Sequence, residues 1–239
     1  MFGRVLVLCL FTALAVPAIA GARALPIRHG PPIARISHST SVNWAGYSAT
    51  NGAPFTRVRA TWKQPSASCT ATAAYSSFWV GLDGDGSNTV EQTGTDADCS
   101  SGKPVYYAWY EMYPKFPVQL ALTVRPGNTI AAMVTTNGSG GFTLTIKNVT
   151  TGASFTTTQR LKSAQLASAE VIAEAPSSSQ GVLPLANFGT ASFSAATVNG
   201  NPIGSFNPDR INMSSGSLTK ASTSALANGR AFTVTWKHS

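Results

Sequence analysis

Hydrophobic and polar residues alternate with a period of two from about residue 40 to the end of the chain. Phe142, Leu144 and Ile146 alternate with Thr143, Thr145 and Lys147. The stretch Val118 to Val124 does the same before a turn at Pro126-Gly127-Asn128, and Phe232, Val234 and Trp236 repeat the pattern near the C-terminus. This is the signature of strands with one face buried. Clusters of Gly, Asn, Pro and Ser separate the runs, as at Asn137-Gly138-Ser139-Gly140-Gly141 and Asn199-Gly200-Asn201-Pro202. The best amphipathic helical stretch, Arg160 to Ala169, is short. Many short strands at regular spacing predict an all-β sandwich.

Strand parity decides which side chains can share a face. Tyr107, Trp109, Glu111 and Tyr113 share one, Glu170, Ile172 and Glu174 another, and Trp79, Gly81 and Asp83 a third. Three neighbouring strands would thus offer Trp79, Asp83, Trp109, Glu111, Glu170 and Glu174 to one surface. Unpaired charge is too costly for a core, so this face is expected to line a cleft. A glutamine, Gln92, lies on another strand-like segment, Glu91-Gln92-Thr93-Gly94. A carboxylate can take a proton from water, and a carboxamide can donate hydrogen bonds to a developing oxyanion. Such a pair could hydrolyse an amide without serine, cysteine or metal.

The N-terminus reads differently. Arg4 precedes the apolar run Val5 to Val16, and Ala18-Ile19-Ala20 follows as a small-x-small site, so residues 1–24 are expected to be a signal peptide and the protein to be secreted. The run falls short of the ~20 residues a membrane span needs, and no membrane association is expected once it is removed. Residues 25–40 are Pro-rich and basic without an acid, either a linker or a short pro-segment set against a carboxylate-lined cleft. The body, residues 41–239, suits one domain. Cys9 leaves with the signal, and Cys69 and Cys99 are expected to form a disulfide in an oxidising compartment.

The net charge of +8 overstates the basicity of the body. Four of the 17 basic residues, Arg4, Arg23, Arg28 and Arg35, precede Ser41, while all 9 acidic residues follow it, leaving +4. The remaining basic residues are scattered, which argues against nucleic-acid binding.

Several chemistries find no support. There is no G-x-S-x-G elbow, no H-E-x-x-H and no D-T-G triplet, and His29, His38 and His238 lie near the chain ends. No metal and no cofactor are expected. Asp83-Gly84-Asp85-Gly86 suggests a calcium loop, but Asn88 stands where its glycine and Gly94 where its final glutamate would be needed, so a tight turn is the better reading. Glu170 and Glu174 have the spacing of paired carboxylates in sandwich glucanases. Four residues of strand span ~13 Å, wider than glycosidases use. A glycoside hydrolase or carbohydrate-binding sandwich is the alternative function.

In order along the chain, Asn43-Trp44-Ala45-Gly46, Phe78-Trp79-Val80-Gly81-Leu82-Asp83-Gly84, Gln92-Thr93-Gly94, Tyr107 to Pro114 and Ala169 to Glu174 resemble the glutamic peptidase (eqolisin) family. The resemblance runs from about Ser41 to Trp236. It implies a concanavalin-like sandwich of two curved antiparallel sheets, with the active cleft on the concave face. It also implies a secreted endopeptidase acting in acid on polypeptide substrates, and a monomer is expected. Carried over by position, the catalytic residues fall on Gln92 and Glu174. Trp79, Asp83, Trp109 and Glu111 fall on cleft positions, and Trp44 and Glu170 are counted with them. The mature body is mildly basic where fungal members are acidic, and a bacterial branch of the family is one explanation.

Overall fold

The computed structural model describes residues 27–31 and 39–239. The expected signal peptide and part of the basic segment after it lie outside these residues. In chain order the strands begin β1 (Thr40–Ser41), β2 (Trp44–Ala49), β3 (Arg57–Lys63), β4 (Ser77–Leu82), β5 (Val90–Ser100), β6 (Lys103–Tyr113), β7 (Val118–Leu120), β8 (Thr129–Thr136) and β9 (Gly141–Asn148). They continue with β10 (Ser154–Arg160), β11 (Ala169–Glu174), β12 (Ser177–Ser178), β13 (Gly181–Val182), β14 (Thr190–Val198), β15 (Asn201–Pro202), β16 (Asp209–Ser215), β17 (Leu218–Thr223) and β18 (Phe232–Trp236).

Two antiparallel layers result. The front layer runs β16-β2-β11-β4-β5-β6-β7, and the back layer runs β10-β9-β8-β3-β14-β18-β17-β16. Strand β16 joins them: Asp209 to Ile211 pair with β2, whereas Met213 to Ser215 pair with β17. The short β1 lies parallel to β16. Between the layers sits one apolar core, including Tyr47, Phe78, Val80, Trp62, Ile130, Phe142, Leu144, Ile146 and Val234. Tyr47 meets Phe232 edge to face at 4.8 Å, and Trp62 of β3 donates from Nε1 to the Thr95 hydroxyl of β5 at 3.0 Å. The all-β antiparallel sandwich expected from the alternation is the observed architecture.

Alternation reads β9 and β18 correctly, with Phe142, Leu144, Ile146, Phe232 and Val234 all buried. It overextends β7, which ends at Leu120, although Leu122 and Val124 remain buried. The helical stretch from Arg160 to Ala169 does not form: Arg160 ends β10 and Ala169 begins β11. The backbone N–H groups of Gln165, Leu166 and Ala167 donate instead to the Asp83 carboxylate at 2.8, 2.9 and 2.8 Å. A charged acceptor outcompetes the carbonyls a short helix would offer. Among the described residues, the only helical segment is a single 3-10 turn, Ile203–Phe206.

Cys69 and Cys99 form the expected disulfide, with Cα atoms 5.4 Å apart. It ties the loop before β4 to the end of β5, the strand that carries Gln92.

Candidate active site

Ladder register assembles the outward face of the front layer in three rows. In the first, Glu170 lies opposite Gly81, Gly81 opposite Gln92, and Gln92 opposite Glu111. In the second, Ile172, Trp79, Gly94 and Trp109 follow one another in the same way. The third holds Glu174, Ser77, Asp96 and Tyr107, with Trp44 beside Glu174 on β2. Side chains two apart on a strand share a face, so these rows form one surface. Gly94 is required in the middle: a Cβ there would meet the Phe78 carbonyl oxygen at 2.4 Å and Trp79 Cβ at 2.6 Å. The glycine of Gln92-Thr93-Gly94 therefore makes room for the tryptophan of the next strand.

Trp79 separates the two glutamates of β11. A Cβ at Gly81 would lie 2.9 Å from the benzo edge of the Trp79 indole, so that edge stands over Gly81, between Gln92 and Glu170. The indole N–H donates instead to Glu174 Oε2 at 2.7 Å. Asn43 Nδ2 donates to Glu174 Oε1 at 3.4 Å. Glu174 is fully buried, and burial pushes its carboxyl up to about 8 against the opposing pull of His29 and the Trp79 hydrogen bond.

The face is covered by residues 27–31. Arg28 forms an antiparallel bridge with Ser177: its N–H donates to the Ser177 carbonyl at 2.8 Å, and the Ser177 N–H returns a 2.9 Å bond. The Gln92 carboxamide nitrogen donates to the backbone carbonyl of His29. Trp44 Nε1 donates to the Gly30 carbonyl at 3.1 Å. The His29 imidazole stacks on Trp109, 3.7 Å between centroids and 4° from parallel. Its Nδ1 lies 3.1 Å from Glu111 Oε2 and its Nε2 3.3 Å from Asp96 Oδ2. Burial alone would lower the His29 pKa, but Asp96 and Glu111 override it and push it up to about 10. Burial raises Glu111 in turn, with His29 drawing it back.

This geometry sorts the residues expected from the sequence. Gln92, Glu174, Trp44, Trp79, Trp109 and Glu111 meet on one face around a single stretch of main chain. Asp83 does not join them, which corrects the expectation that it lines the cleft, and Glu170 shares their face but is set apart from them by Trp79. β4 ends at Leu82, and Asp83 turns away with φ of 66°, so strand parity no longer applies to it. Its carboxylate instead holds residues 165–167, and Thr89 Oγ1 donates to it at 3.4 Å. Glu170 lies behind Trp79 and accepts from Ser48 Oγ at 3.5 Å. Burial raises its carboxyl well above the ordinary range, opposed by Ser168 and reinforced by Asp85 and Asp83.

Sequence reasoning missed Asp96, Asn43 and His29. Asp96 carried a signal, since Gln92, Gly94 and Asp96 are related by strand parity. It accepts from Trp109 Nε1 at 2.5 Å and from the Tyr107 hydroxyl at 2.8 Å as well as facing His29. Gly84 and Gly86 both have positive φ in the turn after Asp83.

Fold and site together define a β-sandwich whose acid- and tryptophan-lined face holds a stretch of main chain against a carboxamide, with a buried carboxyl group on the same face. The chain belongs to the Peptidase A4 family, the glutamic peptidases, which it matches over residues 42–236. It is 36% identical over 135 residues to scytalidopepsin B of Scytalidium lignicola, covering 56% of this chain and 49% of that protein. It is 34% identical over 135 residues to aspergillopepsin-2 of Aspergillus niger, covering 54% and 48%. The chain thus matches about half the length of these curated relatives. Its structure is similar to that of scytalido-glutamic peptidase with a transition state analog inhibitor, with a TM-score of 0.73 and 26% identity over 82% of this chain and 98% of that one.

Proposed function

We propose that the chain is a secreted acid endopeptidase in which Gln92 and Glu174 carry the reaction. The observation that carries this reading is the hydrogen bond from the Gln92 carboxamide nitrogen to the main-chain carbonyl of His29. A stretch of main chain lies across the face, bridged antiparallel to Ser177 at Arg28, as substrates of many peptide-binding sites pair with a strand. Its carbonyl sits on a fixed donor, which is what an oxyanion stabiliser must offer. Gln92 Oε1 is buried without a hydrogen-bond partner among the described residues, leaving an acceptor that can orient a water.

In the ionised form Glu174 removes a proton from that water as it attacks the carbonyl carbon. Gln92 donates to the tetrahedral oxyanion, and Glu174 then passes its proton to the leaving amine as the C–N bond breaks. The Trp79 indole holds one Glu174 oxygen through both steps. With residues 27–31 in place, burial keeps Glu174 protonated through the acid range and idle as a base. Departure of the segment admits water and relieves that burial. The carboxyl then returns toward the ordinary range near ~4.3, although loss of His29 acts in the opposite sense. Residues 1–24 act as the export signal and 25–40 as the pro-segment in this reading. The Cys69–Cys99 disulfide suits the oxidising compartment to which such a signal leads.

The test is digestion of denatured casein by the full chain across an acid pH series, with pepstatin and EDTA present. Cleavage that resists both inhibitors is the expected outcome. Mass spectrometry of the chain in the same samples reports whether residues 27–31 have left, and an intact substrate at every acid pH after they have left would end this reading.

A further inference from the structure

The side chain of His29 occupies a pocket whose chemistry is specific. The ring lies flat on Trp109, and each of its nitrogens faces a different buried carboxyl group, Glu111 on one side and Asp96 on the other. Both groups are held in place. Asp96 is fixed by Trp109 Nε1 and the Tyr107 hydroxyl, and that hydroxyl also lies 2.7 Å from Asp98. Glu111 Oε2 accepts in addition from the His29 backbone N–H at 2.9 Å. Pocket and chemistry are adjacent, since the residue whose side chain fills it is the one whose carbonyl rests on Gln92.

The geometry points to a specificity pocket for histidine: Asp96, Glu111 and Trp109 select an imidazole side chain on the residue whose carbonyl Gln92 holds, so the bond cleaved follows histidine. This rests on the peptidase reading above. An aliphatic side chain would take one donor from each of two buried carboxyl groups and put nothing in its place, which costs more than a lost methylene contact. Each would be left with its remaining partners, Trp109 and Tyr107 for Asp96 and the main-chain N–H for Glu111. A lysine would offer charge without a flat face for Trp109 and could not reach two opposed acceptors from one plane. A phenylalanine would stack but donate to neither carboxyl group. Of these side chains, only the planar ring with a donor at each end satisfies all three residues.

Hydrolysis here adds water across the bond between histidine and the next residue. A C–O bond forms, the C–N bond breaks, and Glu174 delivers the proton to the released amine. Nothing further is consumed. In this chain the bond so placed is His29–Gly30. A cavity of about 460 Å³ opens beside this bond, lined by Arg28 before it, by Gly30 and Pro31 after it, and by Tyr113, Phe116 and Ser177.

The experiment incubates the full chain in acid with five acetylated peptides of sequence Ile-Arg-X-Gly-Pro-Pro, where X is His, Phe, Leu, Lys or Ala, and maps products by mass spectrometry. The expected result is cleavage after X with kcat/KM at least ~10-fold higher for His than for Leu or Ala, the scale of one unsatisfied buried polar group. In Asp96→Asn that His-to-Leu ratio is expected to collapse. Cleavage with equal or greater preference for Leu or Phe would overturn the pocket while leaving the peptidase reading intact. Absence of any cleavage after mass spectrometry shows that the chain has lost residues 27–31 would overturn the peptidase reading. If the segment stays in place or nothing is cleaved, binding decides the pocket. Acetyl-Ile-Arg-His amide should raise the melting temperature of full-chain His29→Ala more than acetyl-Ile-Arg-Ala amide does. Equal shifts would overturn it.

Discussion

Trp79 Nε1 donates a 2.7 Å hydrogen bond to Glu174 Oε2, and both side chains are fully buried. That one bond distinguishes the two glutamates of β11, and the proposed chemistry assigns the reaction to the one it holds. The indole that orients Glu174 also stands across Gly81 and screens Glu170 from Gln92.

Trp79→Phe keeps the ring and removes the donor. A hydrogen bond to a charged group is worth ~1.5–3 kcal/mol, so kcat/KM on a peptide substrate should fall by ~10- to 100-fold. Because the bond lowers the Glu174 pKa, its loss should also move the acid limb of the pH profile to higher pH. A profile that keeps its shape and height would show that Trp79 only packs.

Stability should fall as pH rises. Seven of the 9 acidic residues are buried: Asp83, Glu91, Asp96, Asp98, Glu111, Glu170 and Glu174. Burial pushes Glu91 up to about 9, reinforced by Asp83, and Glu174 up to about 8. Burial raises Asp98, Glu111 and Glu170 as well. A raised carboxyl binds its proton more tightly in the folded state, so between the ordinary carboxylate range and these values the native chain holds more protons than the unfolded one. The slope of stability with pH is therefore negative. His29, raised to about 10, acts with the same sign. The stabilisation is complete below about pH 4 and is lost as pH rises through these values, the last of it, from His29, near about pH 10. Thermal melts across that range should show a falling Tm, and a flat or rising Tm would contradict the assignment.

Asp83→Ala should damage the fold without touching the chemistry directly. It strips the acceptor from three backbone N–H groups at residues 165–167. Leaving a buried donor unsatisfied costs ~1–3 kcal/mol. Of the three only Leu166 is buried, while the others lie where water can replace the lost acceptor, so a loss on the order of 1–3 kcal/mol is expected by chemical denaturation. Asp83→Asn retains one acceptor oxygen and should lose less. Equal stability of all three proteins would show that the loop does not depend on this carboxylate.

Much of this arrangement was legible because strands obey a period of two. Counting puts Trp109 with Glu111, Glu170 with Glu174 and Trp79 with Gly81, each set on one face of its own strand, and the ladder register then brings the three sets to one surface. Counting fails where a strand stops, as it does one residue before Asp83. It cannot see Glu170 screened from Gln92, because the screen is a tryptophan ring lying over a glycine on the neighbouring strand. The place of His29 was illegible for a different reason. Its partners, Asp96 and Glu111, lie 67 and 82 residues away, and nothing local in a Pro-rich basic stretch encodes which carboxyl groups it will meet. Charge complementarity gave only the sign of the contact.

The most direct measurement compares acid hydrolysis of denatured casein by the full chain, Gln92→Ala and Glu174→Gln, with circular dichroism to establish that all three are folded. Removing one oxyanion donor costs ~10²–10³ in turnover, and removing the proton-transferring carboxyl should cost at least as much. Both variants should therefore be folded and nearly inactive. Undiminished hydrolysis by either folded variant would contradict the assignment of Gln92 and Glu174 as the catalytic pair.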